Sequence, residues 1–215
     1  MNKEIARVIS SFALLYPGDE FIAKRPELLA LARSLPANLG GPLVQFLEAS
    51  ESLPLNRLQE HYVETFDMRR KCSLFLTSWT HGDTRNRGMA LVYFAEIYKR
   101  FGIKLESTEL PDHLSVVLEF AALHNPKEGD LLLGEHQAPI LLIRDSLAKA
   151  RSIYVNVLDA VIASLPAMTD EILARAEALA ITGPPKEFVG LSGAVSVALE
   201  PFSSRGNSIF EGAIQ

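Results

Sequence analysis

The sequence predicts an all-α fold: a single globular helical bundle of roughly eight to ten helices, followed by a loosely ordered C-terminal tail. Apolar residues recur at three- and four-residue spacing from the N-terminus to about Ala180. Proline and glycine punctuate these repeats, and no alternating apolar and polar series is strong enough to build a sheet.

Taken in order, Ile5, Val8, Ile9, Phe12, Leu15 and Tyr16 share one face of a first helix, which Pro17-Gly18 ends. A second helix is expected from about Asp19 to Ser34 and a third from about Pro42 to Ser50, with Pro36 and Gly40-Gly41 as breakers between them. After Pro54, a fourth carries Leu55, Leu58, Tyr62 and Phe66 on one side. Leu74-Phe75-Leu76 is strand-like by propensity, while Phe75 and Trp79, four apart, fit a short helix equally well. Asp83 or Thr84 caps the next helix, whose inner face reads as Met89, Val92, Ile97 and Phe101 and whose end is set by Gly102. Pro111 suits the first turn of a helix carrying Leu114, Val117, Leu118 and Ala121, because its missing N–H costs nothing there. In "HNPKEGD", Asn125 is the cap, Pro126 the first helical residue and Glu128 the third residue after the cap. One long helix is expected from about Pro139 to Ser164, and a last one runs from Thr169-Asp170 towards Ala180. Residues 1–182 thus form the helical domain, and the glycine- and proline-containing stretch 183–215 reads as a flexible tail.

Hydrophobic residues make up 48% of the 215 positions and charged residues 22%, an ordinary globular composition with enough chain for one full core. The net charge of -5 argues against nucleic-acid binding, which relies on Lys and Arg against phosphate; a basic partner suits it better. Charges interrupt the apolar pattern near Met1, unlike a secretory signal, and no apolar run approaches the ~18 residues of a membrane span, so a cytoplasmic location is expected. Cys72, the single cysteine, excludes an internal disulfide and a cysteine-based zinc knuckle, and reads as a small buried hydrophobe.

The segment from Asp67 to Arg87 stands apart, with Arg69, Arg70, Lys71, Arg85 and Arg87 against Asp67 and Asp83 in an otherwise acidic chain. Arg85 and Arg87 lie near Trp79, and arginine beside an aromatic is a common anchor in recognition surfaces. No zinc-protease, phosphate-loop or dinucleotide motif is present. A looser metal set can be assembled from His81, Asp83, Asp112 and His113, which gives a metal-dependent helical hydrolase as one alternative. The other reading of Asp112-His113, in "ELPDHL", is an Asp accepting first-turn N–H bonds with a His packed beside it.

Three blocks, "HYVETFD" (His61 to Asp67), "THGDTRNRGMA" (Thr80 to Ala90) and "ELPDHLSVVLEF" (Glu109 to Phe120), together with "LLYPGDEF" near the N-terminus, resemble the nitrate reductase molybdenum cofactor assembly chaperones. This is the NarJ, or nitrate reductase delta subunit, family among the redox enzyme maturation chaperones, and the resemblance covers roughly Met1 to Ala180. It implies a non-catalytic cytoplasmic protein that binds the N-terminal peptide of the nitrate reductase catalytic (alpha) subunit. The apo alpha-beta complex would be held competent for insertion of molybdenum cofactor and iron-sulfur clusters before membrane anchoring. No cofactor would be bound stably by the chaperone, and a helical adaptor for another molybdoenzyme is the nearest variant of this reading. Carried over residue by residue, the resemblance points to Tyr62, Phe66 and Asp67, to His81, Asp83, Arg85 and Arg87 with Gly82, and to Glu109, Pro111, Asp112 and His113. The expected binding mode is helix in groove: the client's apolar face on Tyr62, Phe66 and Trp79, its basic residues answered by Asp67, Asp83, Glu109 and Asp112. Protonation of His81 or His113 is then expected to weaken binding of a basic peptide below about pH 6.

Overall fold

The computed structural model of the chain describes residues 1–82, 84–104 and 109–185. These hold eleven α-helices: α1 (Asn2–Ala13), α2 (Asp19–Ser34), α3 (Ala37–Glu51), α4 (Leu55–Tyr62), α5 (Thr77–His81), α6 (Arg85–Arg100), α7 (Leu114–Glu119), α8 (Pro126–Glu135), α9 (Gln137–Lys149), α10 (Val155–Ser164) and α11 (Asp170–Thr182). Two π turns, Val63–Asp67 and Phe120–His124, extend α4 and α7 by a wider turn each, and a 3-10 turn covers Arg70–Cys72. Among the described residues the β structure is a single antiparallel bridge between Phe75 and His113.

α10 sits at the centre, against α3, α1 and α9; α2 lies on α3, and α1 packs along α7. Ile9, Leu43, Phe46, Leu47, Leu118, Val157, Leu158 and Val161 meet there with no exposed surface. Burying each such side chain contributes about 1.5–3 kcal/mol. Arg7 is also buried on α1. Its guanidinium donates to the Ser164 carbonyl at 2.8 Å and to Asp130 Oδ1 at 2.5 Å, which ties α1 to α10 and α8.

The predicted cap of α8 is present, Asn125 Oδ1 accepting the Glu128 N–H at 3.0 Å, and α11 starts where expected, Thr169 Oγ1 accepting the Ile172 N–H at 3.4 Å. Gly102, at φ 72°, follows the end of α6. Four expectations change. α3 begins at Ala37 and contains Gly40, whose Cα abuts the Ala32 carbonyl; the glycine lets α2 and α3 approach closely instead of breaking the chain. The single long helix is two, because Arg151 takes a left-handed conformation (φ 54°) between α9 and α10. α7 starts at Leu114 with His113 as its cap, so Pro111 belongs to the preceding turn. The buried face of α6 is Phe94, Ile97 and Tyr98, while Met89 and Val92 point outward, 74% and 56% exposed.

Candidate functional site

"ELPDHL" is held from three sides. Its backbone pairs with the strand-like segment before α5: the Leu76 N–H donates to the Asp112 carbonyl at 3.1 Å, and the Leu114 N–H to the Leu74 carbonyl at 2.9 Å. The Tyr98 hydroxyl of α6 donates to the Pro111 carbonyl at 2.8 Å. Asp112 is fully buried, and its Oδ2 accepts from the Thr77 N–H at 3.1 Å and from the Thr77 hydroxyl at 2.5 Å. The carboxylate therefore caps the first residue of α5, while its Oδ1 has no hydrogen-bond partner among the described residues. Arg87 Nε donates to the same Thr77 Oγ1 at 3.3 Å, and its guanidinium carbon lies 5.6 Å from the centre of the Phe75 ring.

His113 is buried as well. Its Nδ1 lies 2.6 Å from Ser115 Oγ and accepts the Ser115 N–H at 3.4 Å, and its ring meets Phe75 edge-on at 5.2 Å. Burial pushes the His113 imidazole down to about 4. These facts correct the picture of Asp112-His113 as exposed charge beside a groove. Both side chains face inward, and His113 stays neutral across the range near pH 6 where its protonation was expected to repel a basic peptide.

Tyr62, Phe66 and Trp79 are likewise core residues, 6%, 7% and 5% exposed. The Tyr62 hydroxyl donates to the Leu14 carbonyl at 3.0 Å, and the Tyr62 and Phe66 rings pack on Tyr154, the residue before α10. They do not form an open apolar floor. Asp67 and Arg85 are exposed; His81, Arg87, Glu109 and Pro111 are half-buried; Asp83 and its predicted cap lie outside the described residues. Gly82 follows α5 at φ 58°, a backbone conformation that favours glycine, and its Cα abuts the Pro185 carbonyl from the chain beyond α11.

What the structure brings to the surface here is α6. Met89, Val92 and Tyr93, the last 44% exposed, form an apolar strip that ends in a hollow of about 440 Å³ with Arg85 and Glu96 at its rim. Tyr93 is shared with a second hollow of about 390 Å³, lined by Thr80 and His81 of α5, Phe94 of α6, Glu135 at the end of α8, His136 just after it, and Arg175 of α11. Burial holds the His136 imidazole below its ordinary value, and its Nδ1 lies 2.8 Å from the Leu132 carbonyl. Met89 and Val92 were visible in the sequence but assigned inward. Glu135, His136 and Arg175 reach the site from distant helices and carry no local motif.

Among the described residues, no three His, Cys, Asp or Glu side chains converge to hold a metal ion, and of the proposed metal set Asp112 and His113 are engaged with Thr77 and Ser115. An apolar strip beside a polar-rimmed hollow on a helical bundle is the kind of surface that helix-in-groove recognition uses. The chain belongs to the nitrate reductase delta subunit family, whose profile matches residues 32–158. It is 36% identical over 121 residues to the nitrate reductase molybdenum cofactor assembly chaperone NarJ of Escherichia coli (strain K12), covering 55% of this chain and 51% of that one. Identity to Bacillus subtilis (strain 168) NarJ is 30% over 165 residues, covering 76% of this chain and 90% of the relative. Against the nitrate reductase-like protein NarX of Mycobacterium tuberculosis (strain ATCC 25618 / H37Rv), identity is 38% over 152 residues; the match takes in 71% of this chain and spans 23% of NarX. A crystal structure assigned as a redox enzyme maturation protein from Archaeoglobus fulgidus has the same fold, with a TM-score of 0.56 and 24% identity over 74% of this chain and 91% of that one.

Proposed function

We propose that this protein is a non-catalytic, system-specific chaperone for nitrate reductase. In this reading it binds the N-terminal peptide of the apo catalytic subunit in the cytoplasm and keeps the apo complex competent for insertion of molybdenum cofactor and iron-sulfur clusters before membrane anchoring. The observation that carries the reading is the α6 strip, Met89, Val92 and Tyr93, set beside the hollow that begins at His81. An amphipathic client helix would lay its apolar face on that strip and fill the hollow with one side chain. Arg85, Glu96, Glu135 and Arg175 offer both signs of charge at the rim, so orientation would come from pairing and affinity from apolar contact. Asp112 and Tyr98 act beneath this surface: Asp112 holds Thr77 at the start of α5, and the Tyr98 hydroxyl ties α6 to Pro111.

Family membership and the relatives named for nitrate reductase support this client over that of another molybdoenzyme. No helix among the described residues is long and apolar enough to cross a membrane. The test is the molybdenum content of the nitrate reductase catalytic subunit produced with and without this chain. Sub-stoichiometric molybdenum without it, restored by supplying it, is the expected result; full loading in its absence overturns the proposal.

A further inference from the structure

The hollow beside the α6 strip carries an unused acceptor in its wall. His136, 8% exposed, stands between α8 and α9, and its ring packs on Phe94 of α6 at 5.2 Å. A carbonyl only accepts, so the 2.8 Å contact with Leu132 puts the proton of the neutral ring on Nδ1. Burial keeps the ring neutral, and Nε2 is then an acceptor without a proton of its own. It has no hydrogen-bond partner among the described residues. Nor is it one of the sealed polar atoms: Nε2 reaches open space, and the space that His136 lines is the hollow.

An acceptor covered without a donor costs free energy, so an occupant of the hollow has to bring an N–H or O–H to that point. The surroundings narrow the class of donor. Arg175 of α11 acts on His136 through the same space, which disfavours a lysine or arginine head group there. Glu135 disfavours a carboxylate, which has no proton to give in any case. Ala90, Tyr93 and Phe94 form an apolar wall that a serine, threonine or amide side chain would leave uncovered. What remains is a neutral aromatic side chain with a donor at its far end, and about 390 Å³ is room enough for one.

We propose that this hollow is an anchor pocket for a tyrosine or tryptophan of the client, whose O–H or N–H donates to His136 Nε2 while its ring covers Ala90 and Phe94. That a client peptide supplies the ring rests on the reading above; the preference of the hollow for an aromatic donor does not. His136 then selects the anchor residue, and Met89 and Val92 add apolar contact that is indifferent to that choice.

Two measurements on the full-length chain test this. The first follows the His136 Nε2 resonance, assigned by its disappearance in His136→Phe or His136→Gln, while p-cresol or toluene is added to the wild type. The expected result is that p-cresol moves it and toluene, the same ring without the hydroxyl, does not; no movement, or equal movement with both, overturns the proposal. The second is calorimetry with a peptide of roughly the first 15 residues of the nitrate reductase catalytic subunit, about four helical turns. Each tyrosine is replaced in turn by phenylalanine, and each tryptophan by its benzothiophene analogue. One replacement should weaken binding to the wild type about tenfold, have no effect with His136→Phe, and regain its effect with His136→Gln, which keeps an acceptor oxygen. Peptide binding that ignores every replacement, or a loss that persists in a folded His136→Phe, defeats the anchor and leaves the client reading standing. A peptide that does not bind while p-cresol moves Nε2 defeats the client reading and upholds the preference of the hollow.

Discussion

Asp112 and His113 do their work through partners far away in the chain. Asp112 meets Thr77 across 35 residues, and removing its carboxylate leaves a buried N–H and a buried hydroxyl with nothing to donate to. Asp112→Ala should therefore lower stability by about 2–4 kcal/mol in urea unfolding; a change below about 0.5 kcal/mol would show that the carboxylate does not hold α5. For His113 the sign follows from burial. Its folded value of about 4 lies below the unfolded ~6.5, so between these the unfolded chain binds more protons. The stability it contributes is complete above about pH 6.5 and is lost as pH falls towards 4, on the order of 3 kcal/mol. Burial lowers His61 and His136 in the same direction. His113→Asn, which keeps an acceptor for the Ser115 N–H, should flatten the fall in unfolding free energy between pH 7 and 4.5; an unchanged slope would contradict the assignment. "ELPDHL" was singled out through the family resemblance, while the residues themselves suggested an Asp capping a first turn with a His packed beside it. Which way Asp112 and His113 face was not legible, because that depends on Thr77, Leu74 and Phe75 arriving from an earlier segment.

At the scale of elements, helix type was easier to read than helix surroundings. The cap at Asn125 and the helix start at Thr169-Asp170 were found because their signals are local, cap and target lying three residues apart. The break between α9 and α10 has no glycine or proline to announce it; Arg151 takes the left-handed turn while Ser152 Oγ is held 2.9 Å from His61 Nε2, a partner 91 residues away. α6 has two apolar strips, and spacing alone does not tell which one finds the core. The aromatic one, Phe94, Ile97 and Tyr98, packs inward against Phe120 and His136, which leaves Met89 and Val92 outside. The two strips should answer mutation differently. Phe94→Ala should cost about 3–5 kcal/mol of stability, whereas Met89→Asp with Val92→Asp should stay within about 0.5 kcal/mol each. The double variant should nonetheless lose at least tenfold in client affinity; unfolding by the surface pair would place that strip in the core after all.

Over the whole molecule, composition and periodicity were enough for an all-helical single core, because burying one stripe per helix leaves few other architectures. The site needed tertiary structure. It is made where α5, α6, the end of α8 and α11 come together, and the sequence marks only the first two of these with a recognisable block. In the proposed reading the labour is divided: buried Asp112 and Tyr98 set the position of α5 and α6, and exposed Met89, Val92 and Tyr93 would make the client contact. Titration calorimetry with a synthetic peptide of roughly the first 15 residues of the nitrate reductase catalytic subunit, about four helical turns, measures that contact itself. One-to-one binding to the wild-type chain, lost in the Met89→Asp and Val92→Asp variant that remains folded, is the predicted result. No heat with the wild type at several temperatures, or equal affinity in the variant, would contradict a client site on α6.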